Sequence, residues 1–467
     1  MDQLSWTRRH LPATTAEKNK RRPQEPPSFW SKTTQQRAIT STTQLFESED
    51  SYKSHTMKSL PSISPKIEET LDPCVVLMKQ IINEYQHLWT DRGGIFSLAQ
   101  GVVYWKEPTQ CKQKIMDALA SNDDILNTYG PAEGIPELVE ALQTKLANDY
   151  AMQSHNVMVT VGANQAYMNC ILTLLNSQNK SKAVVFAPYY FNHVMAIQMT
   201  CGDEAVLVGP CSDDGIPSIE WLREQLENDK NNIDMVTIVN PGNPTGVSLD
   251  KETLQEFVDL CEAHNIWLVL DCTYEYFTSP QHQPLATFPD SPYVIHIFSF
   301  SKSYSLAGYR CGYLVLHEDA PFDAFAQMLK VQDTIPIGPP RISQLAALGS
   351  LEAGKEWVYD KYVTLDASRE AILQALQPLP TMGGSGAMYC MAQLPRISTT
   401  GEHGATTTQH MDDVAFCRTL VKDYGVAIIP GKFCGFPGWI RVCYANLPPA
   451  KCLEAAERLQ QGIQSIL

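Results

Sequence analysis

The part of this chain best equipped for chemistry is a lysine set among hydroxyl groups with an arginine beyond it: Ser299-Phe300-Ser301-Lys302-Ser303-Tyr304-Ser305-Leu306-Ala307-Gly308-Tyr309-Arg310. An amine such as that of Lys302 can form a Schiff base with an aldehyde. Ser299, Ser301 and the Arg310 guanidinium suit a phosphate dianion. The apolar, β-branched and aromatic run at 293–298 reads as a buried strand, and the Ser-rich segment after it as the loop leaving its C-terminal edge, where ligands of α/β sheets bind.

Three further stretches carry polar groups that an ordinary fold does not need. In Asn240-Pro241-Gly242-Asn243-Pro244-Thr245-Gly246, prolines and glycines fix the backbone so that the Asn243 amide can be aimed at a ligand. Asp271 ends the apolar run 266–270, with Tyr274 close behind. A carboxylate beside a pyridine nitrogen keeps that nitrogen protonated and makes the ring an electron sink. Trp439-Ile440-Arg441-Val442 places a guanidinium in an apolar strand, where it requires an anionic partner. Upstream, the strand 157–161 turns through Gly162-Ala163-Asn164-Gln165-Ala166 into a helix, whose N-terminus is an anion site. Aldehyde, phosphate and pyridine nitrogen occur together in pyridoxal 5′-phosphate (PLP), the cofactor these residues call for.

The four spaced motifs resemble those of the class I/II aminotransferases among the fold-type I PLP-dependent enzymes, and the resemblance runs from about Leu71 to the C-terminus. It implies an α/β architecture: a large domain with a mostly parallel seven-stranded sheet covered by helices, and a smaller α+β C-terminal domain. The expected divisions are an extension (1–65), an arm with part of the small domain (66–110), the large domain (111–336) and the small domain (337–467). By resemblance, Lys302, Asp271 and Tyr274 are catalytic. Gly162, Ala163, Asn164, Asn243, Ser299, Ser301 and Arg310 hold the cofactor with them, and Gly101, Asn243 and Arg441 bind substrate. In Pro188-Tyr189-Tyr190-Phe191-Asn192-His193 the ring-stacking aromatic is Tyr190, with Tyr189 as the alternative. Tyr129 would reach the phosphate in the other subunit of a homodimer. Val102-Val103-Tyr104-Trp105 resembles a plant-type subgroup of aromatic and methionine aminotransferases.

The activity this implies is ping-pong transfer of an amino group from an aromatic amino acid or methionine to a 2-oxo acid. Arg441 would take the α-carboxylate. Arg341 is the nearest candidate for a side-chain carboxylate, and Ile335, Ile337 and residues 102–105 would line an apolar side-chain pocket. The rivals are a cysteine-conjugate β-lyase on the same scaffold and a PLP-binding regulatory protein.

The chain has 467 residues, 44% of them apolar, and a net charge of −15. That charge opposes nucleic acid or an anionic membrane as partner, and no window approaches the roughly 18 apolar residues of a membrane span. Thirteen cysteines without a CxxC pair fit free thiols in a reducing compartment, hence a cytoplasmic protein. The polar segment 403–410 reads as a loop, and its histidines have no metal-ligand spacing. Residues 1–65 are basic, hydroxyl-rich and Pro-interrupted, and read as a disordered extension that fits an organelle transit peptide and a dispensable tail equally.

Overall fold

The computed structural model describes residues 62–121, 124–228, 231–278, 290–400 and 406–466, so the basic extension falls outside the described residues up to position 61. Seven strands form the main sheet: β1 (His155–Thr160), β2 (Lys182–Ala187), β3 (Val206–Pro210), β4 (Ile233–Val239), β5 (Trp267–Asp271), β6 (Val294–Ser299) and β7 (Gly312–His317). Their order is β1-β7-β6-β5-β4-β2-β3. β7 is antiparallel to both of its neighbours, and every other pairing is parallel. β5 and β6 are buried at every position, because helices cover both faces of such a sheet. For that reason they read as largely apolar runs. Six of the strands point the same way and end at one edge, which therefore collects Gly162 after β1, Asn243 after β4, Asp271 at the end of β5 and Ser299 at the end of β6.

Among the helices are α1 (Cys74–Tyr85), α2 (Pro136–Tyr150), α3 (Ala163–Leu174), α4 (Phe191–Cys201), α5 (Phe300–Ser303) and α6 (Arg341–Val363). α2 starts with Pro136 in its first turn, where a missing N–H costs nothing, and buries Leu138, Leu142 and Leu146 at four-residue spacing. α1 buries only the stripe Cys74, Met78 and Ile81, leaving Val75 and Val76 outward. The lysine segment corrects the loop expectation, for residues 300–303 make one helical turn. A single turn is too short to register as periodicity.

A second sheet contains β8 (Thr381–Gly383), β9 (Tyr389–Gln393), β10 (Ile429–Pro430) and β11 (Trp439–Cys443), antiparallel in the order β10-β11-β9-β8. The segment carrying Gly101 is tied to this sheet: Phe96–Ser97 pairs with Val426–Ala427, and the Cys443 N–H donates to the Leu98 carbonyl at 2.8 Å. Residues 406–410 are not a loop. They pair with Arg396–Thr400 as antiparallel strands, and positions 403–405 of the expected loop lie outside the described residues. All thirteen cysteines are free thiols, and no helix among the described residues is long and apolar enough to cross a membrane.

Candidate active site

A cavity of about 260 Å³ opens where the ends of the main-sheet strands meet the second sheet. At one end of it, Gly162 has φ +78° and ψ 168°, a conformation that excludes side chains, and begins α3. A Cβ there would lie 2.3 Å from an Arg310 guanidinium nitrogen, so the glycine is what lets the arginine lie against the helix N-terminus. The Gln165 side chain accepts from the Val161 N–H at 2.6 Å and secures the turn. The first N–H groups of α3 have no intrahelical acceptors, so they and Arg310 concentrate positive potential on the Ala163 and Asn164 wall of the cavity.

Ser299 caps α5 by accepting from the Ser301 N–H at 3.2 Å, and the turn it starts aims Lys302 into the cavity. The Lys302 amine donates to the Gly101 carbonyl at 2.5 Å. Burial pulls its pKa from 10.5 down to about 8, with Arg310 and Arg441 acting in the same direction against Cys443 and Asp271. A neutral, nucleophilic amine is therefore accessible near neutral pH.

Asp271 is 5% exposed. Its carboxylate accepts from the Thr273 N–H at 3.0 Å and lies 3.2 Å from His193 Nε2, on α4. Burial alone would raise this carboxyl, but the His193 and Thr273 contacts outweigh it and hold the pKa below the ordinary aspartate value. His193 is itself packed against the rings of Tyr167 and Tyr190, at centroid distances of 4.1 and 5.2 Å. The Asn240 backbone N–H donates to the Asp271 carbonyl, which joins the Asn243 turn to the end of β5.

On the opposite wall, Arg441 Nη1 donates to Asn243 Oδ1 at 2.9 Å, and Nη2 to the Ala99 carbonyl at 2.7 Å. Its buried Nε has no hydrogen-bond partner among the described residues, an arrangement that leaves a desolvated cation short of an acceptor. The guanidinium lies 4.6 Å from the centre of the Tyr389 ring, and the Tyr389 hydroxyl is 2.8 Å from that of Tyr274. A Cβ on Gly101 would stand 2.2 Å from the same Tyr389 oxygen.

The structure brings Gly101, Ala163, Asn164, Tyr190, Asn243, Asp271, Tyr274, Ser299, Ser301, Lys302, Arg310 and Arg441 to this one cavity, with Gly162 behind Arg310. Between the two tyrosines the choice falls on Tyr190. Tyr189 turns away to pack on Gly435, with its N–H donating to the Cys434 carbonyl. Tyr129 stands apart, its side chain 82% exposed. Of the residues expected to line an apolar pocket, Ile335 and Ile337 are 56% and 41% exposed and line no part of this cavity, and Trp105 is packed on Phe277. Arg341 likewise lines no part of the cavity, and its Nε and Nη2 donate to the Thr128 and Tyr129 carbonyls, both at 2.9 Å.

Sequence reasoning missed His193, Tyr389, Phe191 and Thr273. His193 lies within a quoted segment and falls one helical turn after Tyr190, a spacing that could have placed the two on one face. Tyr389 carries no local signal, since the next three residues along β9 are also buried.

Residues 94–459 match the family model for aminotransferase class I and II. The chain is 37% identical over 392 residues to the aromatic aminotransferase ISS1 of Arabidopsis thaliana, an alignment spanning 83% of this chain and 94% of that protein. It is 26% identical over 382 residues to an aspartate aminotransferase of Pyrococcus horikoshii, spanning 79% and 91% of the two chains. Among solved structures, the aspartate aminotransferase of Thermotoga maritima superposes with a TM-score of 0.73 at 22% identity, covering 86% of this chain and all of that one. The aromatic aminotransferase of P. horikoshii superposes with 0.68 at 24%, covering 83% and 99%. At those identities the superpositions speak for the fold.

Proposed function

We propose that this chain, which belongs to the class I and II aminotransferases, binds PLP through Lys302 and moves the amino group of an aromatic amino acid or methionine to a 2-oxo acid. The observation that carries the reading is the convergence of Lys302, Asp271, Tyr274, Asn243 and Arg441 on one cavity with an anion-binding helix start at its end.

The residues present fit the cofactor. The Gly162–Arg310 contact at the start of α3, with Ser299 and Ser301 beside it, forms a phosphate cradle. Asp271, held ionised by His193 and Thr273, suits a protonated pyridine nitrogen, and Tyr190 offers a ring face. Asn243 already gives its Oδ1 to Arg441, so its amide N–H2 is left for a phenolic oxygen, together with Tyr274. When bound, the cofactor supplies an electron sink for negative charge at the substrate α-carbon. Lys302, as a neutral amine, takes the α-proton. Arg441 holds the α-carboxylate, using the Nε that is otherwise without an acceptor, and thereby fixes which face of the α-carbon meets Lys302.

Three cations line the cavity among the described residues: Lys302, Arg310 and Arg441. Each has a role above, and Arg341 lines no part of the cavity, so the side-chain carboxylate of a dicarboxylic donor finds no further cation among the described residues that line it. Leaving that charge buried and unpaired costs several kcal/mol, whereas burying an aromatic side chain gains about 1.5–3 kcal/mol. The 37% identity to an aromatic aminotransferase supports the same choice.

The reading includes a homodimer. Its support is Tyr129, exposed while Arg341 grips its carbonyl, among the outward apolar residues Ile125, Ile335 and Ile337. It also divides the chain into an arm with part of the small domain (66–110), a large domain (111–336) holding β1–β7, and a small domain (337–467) holding β8–β11. The test is a panel of donors with and without a 2-oxo acid acceptor. Specificity constants should rank phenylalanine, tyrosine, tryptophan or methionine above aspartate, turnover should require the acceptor, and Lys302→Ala should abolish it. Aspartate ranked first, or steady turnover without acceptor, would overturn the assignment.

A further inference from the structure

Tyr389 sits at a junction of three elements and belongs to no recognised motif. It is 1% exposed, projects from β9, and touches the turn after β5 through Tyr274, β11 through Arg441, and the 97–105 segment through Gly101. The cavity is lined by its side chain.

The two phenol hydroxyls share one hydrogen bond of 2.8 Å, and between them they carry two protons. One proton is used in the bond, and the donor decides where the other points. A guanidinium 4.6 Å from the centre of the Tyr389 ring favours loss of positive charge from that hydroxyl, so Tyr389 is the better donor and Tyr274 the better acceptor. If Tyr389 donates, the Tyr274 proton is directed away from it, into the cavity. Glycine at position 101 leaves room for the Tyr389 hydroxyl beside that segment, since a Cβ there would stand 2.2 Å from its oxygen.

We propose that Tyr389 is a positioning residue: by donating to Tyr274 it holds the Tyr274 hydroxyl as a donor toward the phenolic oxygen of the bound cofactor. This rests on the PLP reading above. Hydrogen bonds in series strengthen one another in a buried site, so a Tyr274 that loses its incoming bond donates less well. A weaker donor at the phenolic oxygen leaves more negative charge there, which holds the proton of the cofactor–Lys302 linkage more tightly and raises the pH at which that linkage titrates.

The experiment is a pH titration of the absorbance of the PLP-loaded enzyme for wild type, Tyr389→Phe, Tyr274→Phe and the double variant, with melting temperatures alongside. Tyr389→Phe is expected to move the midpoint upward and to lower kcat about tenfold, as loss of one buried hydrogen bond would, with KM changed far less. Tyr274→Phe should move the midpoint further, and adding Tyr389→Phe to it should do nothing more. A role confined to packing would lower the melting temperature of Tyr389→Phe and leave the midpoint where it was. That result, or shifts that add in the double variant, would overturn the proposal. Wild-type protein that takes up no PLP on Lys302 would instead refute the cofactor assignment itself, a separate and recognisable failure.

Discussion

Replacing Gly101 by alanine tests how the two sheets are fitted together at the site. The added Cβ would stand 2.2 Å from the Tyr389 hydroxyl oxygen, where ordinary contact between non-bonded heavy atoms is about 3.5 Å. The ring has little room to swing, being buried on β9 with the Arg441 guanidinium over its face. Relief then comes in one of two ways. The hydroxyl leaves Tyr274, or the 97–105 segment backs away and carries with it the Gly101 carbonyl facing Lys302 and the Ala99 carbonyl facing Arg441. A lost hydrogen bond of about 1 kcal/mol and an overpacking strain of about 1–3 kcal/mol bound the stability loss. Misplacing a catalytic group on the ångström scale costs on the order of 10- to 100-fold in kcat. The assay is a double-mutant cycle of kcat and melting temperature with Tyr389→Phe. Without the hydroxyl, the nearest atom to the new Cβ is the ring Cζ at 3.3 Å, which needs to give only slightly. Gly101→Ala should therefore cost the full factor in wild type and less than about threefold in Tyr389→Phe. Equal costs in both backgrounds would show that the hydroxyl is not the reason for glycine at this position.

Two further outcomes follow from the buried charges. Capture of PLP by the cofactor-free protein requires the neutral Lys302 amine, so its rate should rise with pH through a midpoint near 8 and level off above it; stopped-flow absorbance showing a midpoint near 10.5 would contradict the burial effect. Behind the Asp271–Tyr274 turn, Glu275 accepts from Lys145 at 2.6 Å and from the Tyr150 hydroxyl at 2.5 Å, with side chains 3% and 8% exposed for Glu275 and Lys145. Lys145→Met should lower the unfolding free energy by about 3–5 kcal/mol, and adding Glu275→Leu should recover much of it, since the stranded carboxylate rather than the missing attraction dominates the loss. Denaturant titrations that show additive losses would contradict this.

Elements that are buried on both faces were legible before any coordinates. β4, β5 and β6 could be read from largely apolar runs, and α2 from the spacing of Leu138, Leu142 and Leu146. The motif residues were legible because turns with prolines, glycines and a second asparagine, or an arginine inside an apolar strand, are unfavourable unless a ligand repays them. Contacts between distant segments were not. Ile335 and Ile337 were assigned to the pocket through their sequence proximity to Arg341, yet that arginine faces the Thr128–Tyr129 carbonyls and the isoleucines face outward. His193 and Tyr389 are common residue types on ordinary elements. Their roles arise only when α4 and β9 are packed against the end of β5.

That pattern has a consequence for how the site works. Each polar group at the edge of the main sheet is held by a partner from elsewhere in the chain: Asp271 by His193 on α4, Tyr274 by Tyr389 on β9, Asn243 by Arg441 on β11, and Lys302 by the Gly101 carbonyl. Three of these four partners belong to the second sheet or to the segment tied to it by the Cys443–Leu98 hydrogen bond. The edge of a parallel sheet supplies the right residue types, but it leaves their protons and amide orientations free. The second sheet fixes them, and it does so with the same arginine that the proposed function assigns to the substrate carboxylate. A carboxylate arriving at the Arg441 Nε would therefore share the guanidinium with the Asn243 and Ala99 oxygens already bound there, and what it changes at Asn243 reaches the amide aimed at the phenolic oxygen. Substrate recognition and cofactor tuning are then one hydrogen-bond network, and substitutions on β9 or β11 should alter the cofactor's absorbance even where they touch neither PLP nor substrate.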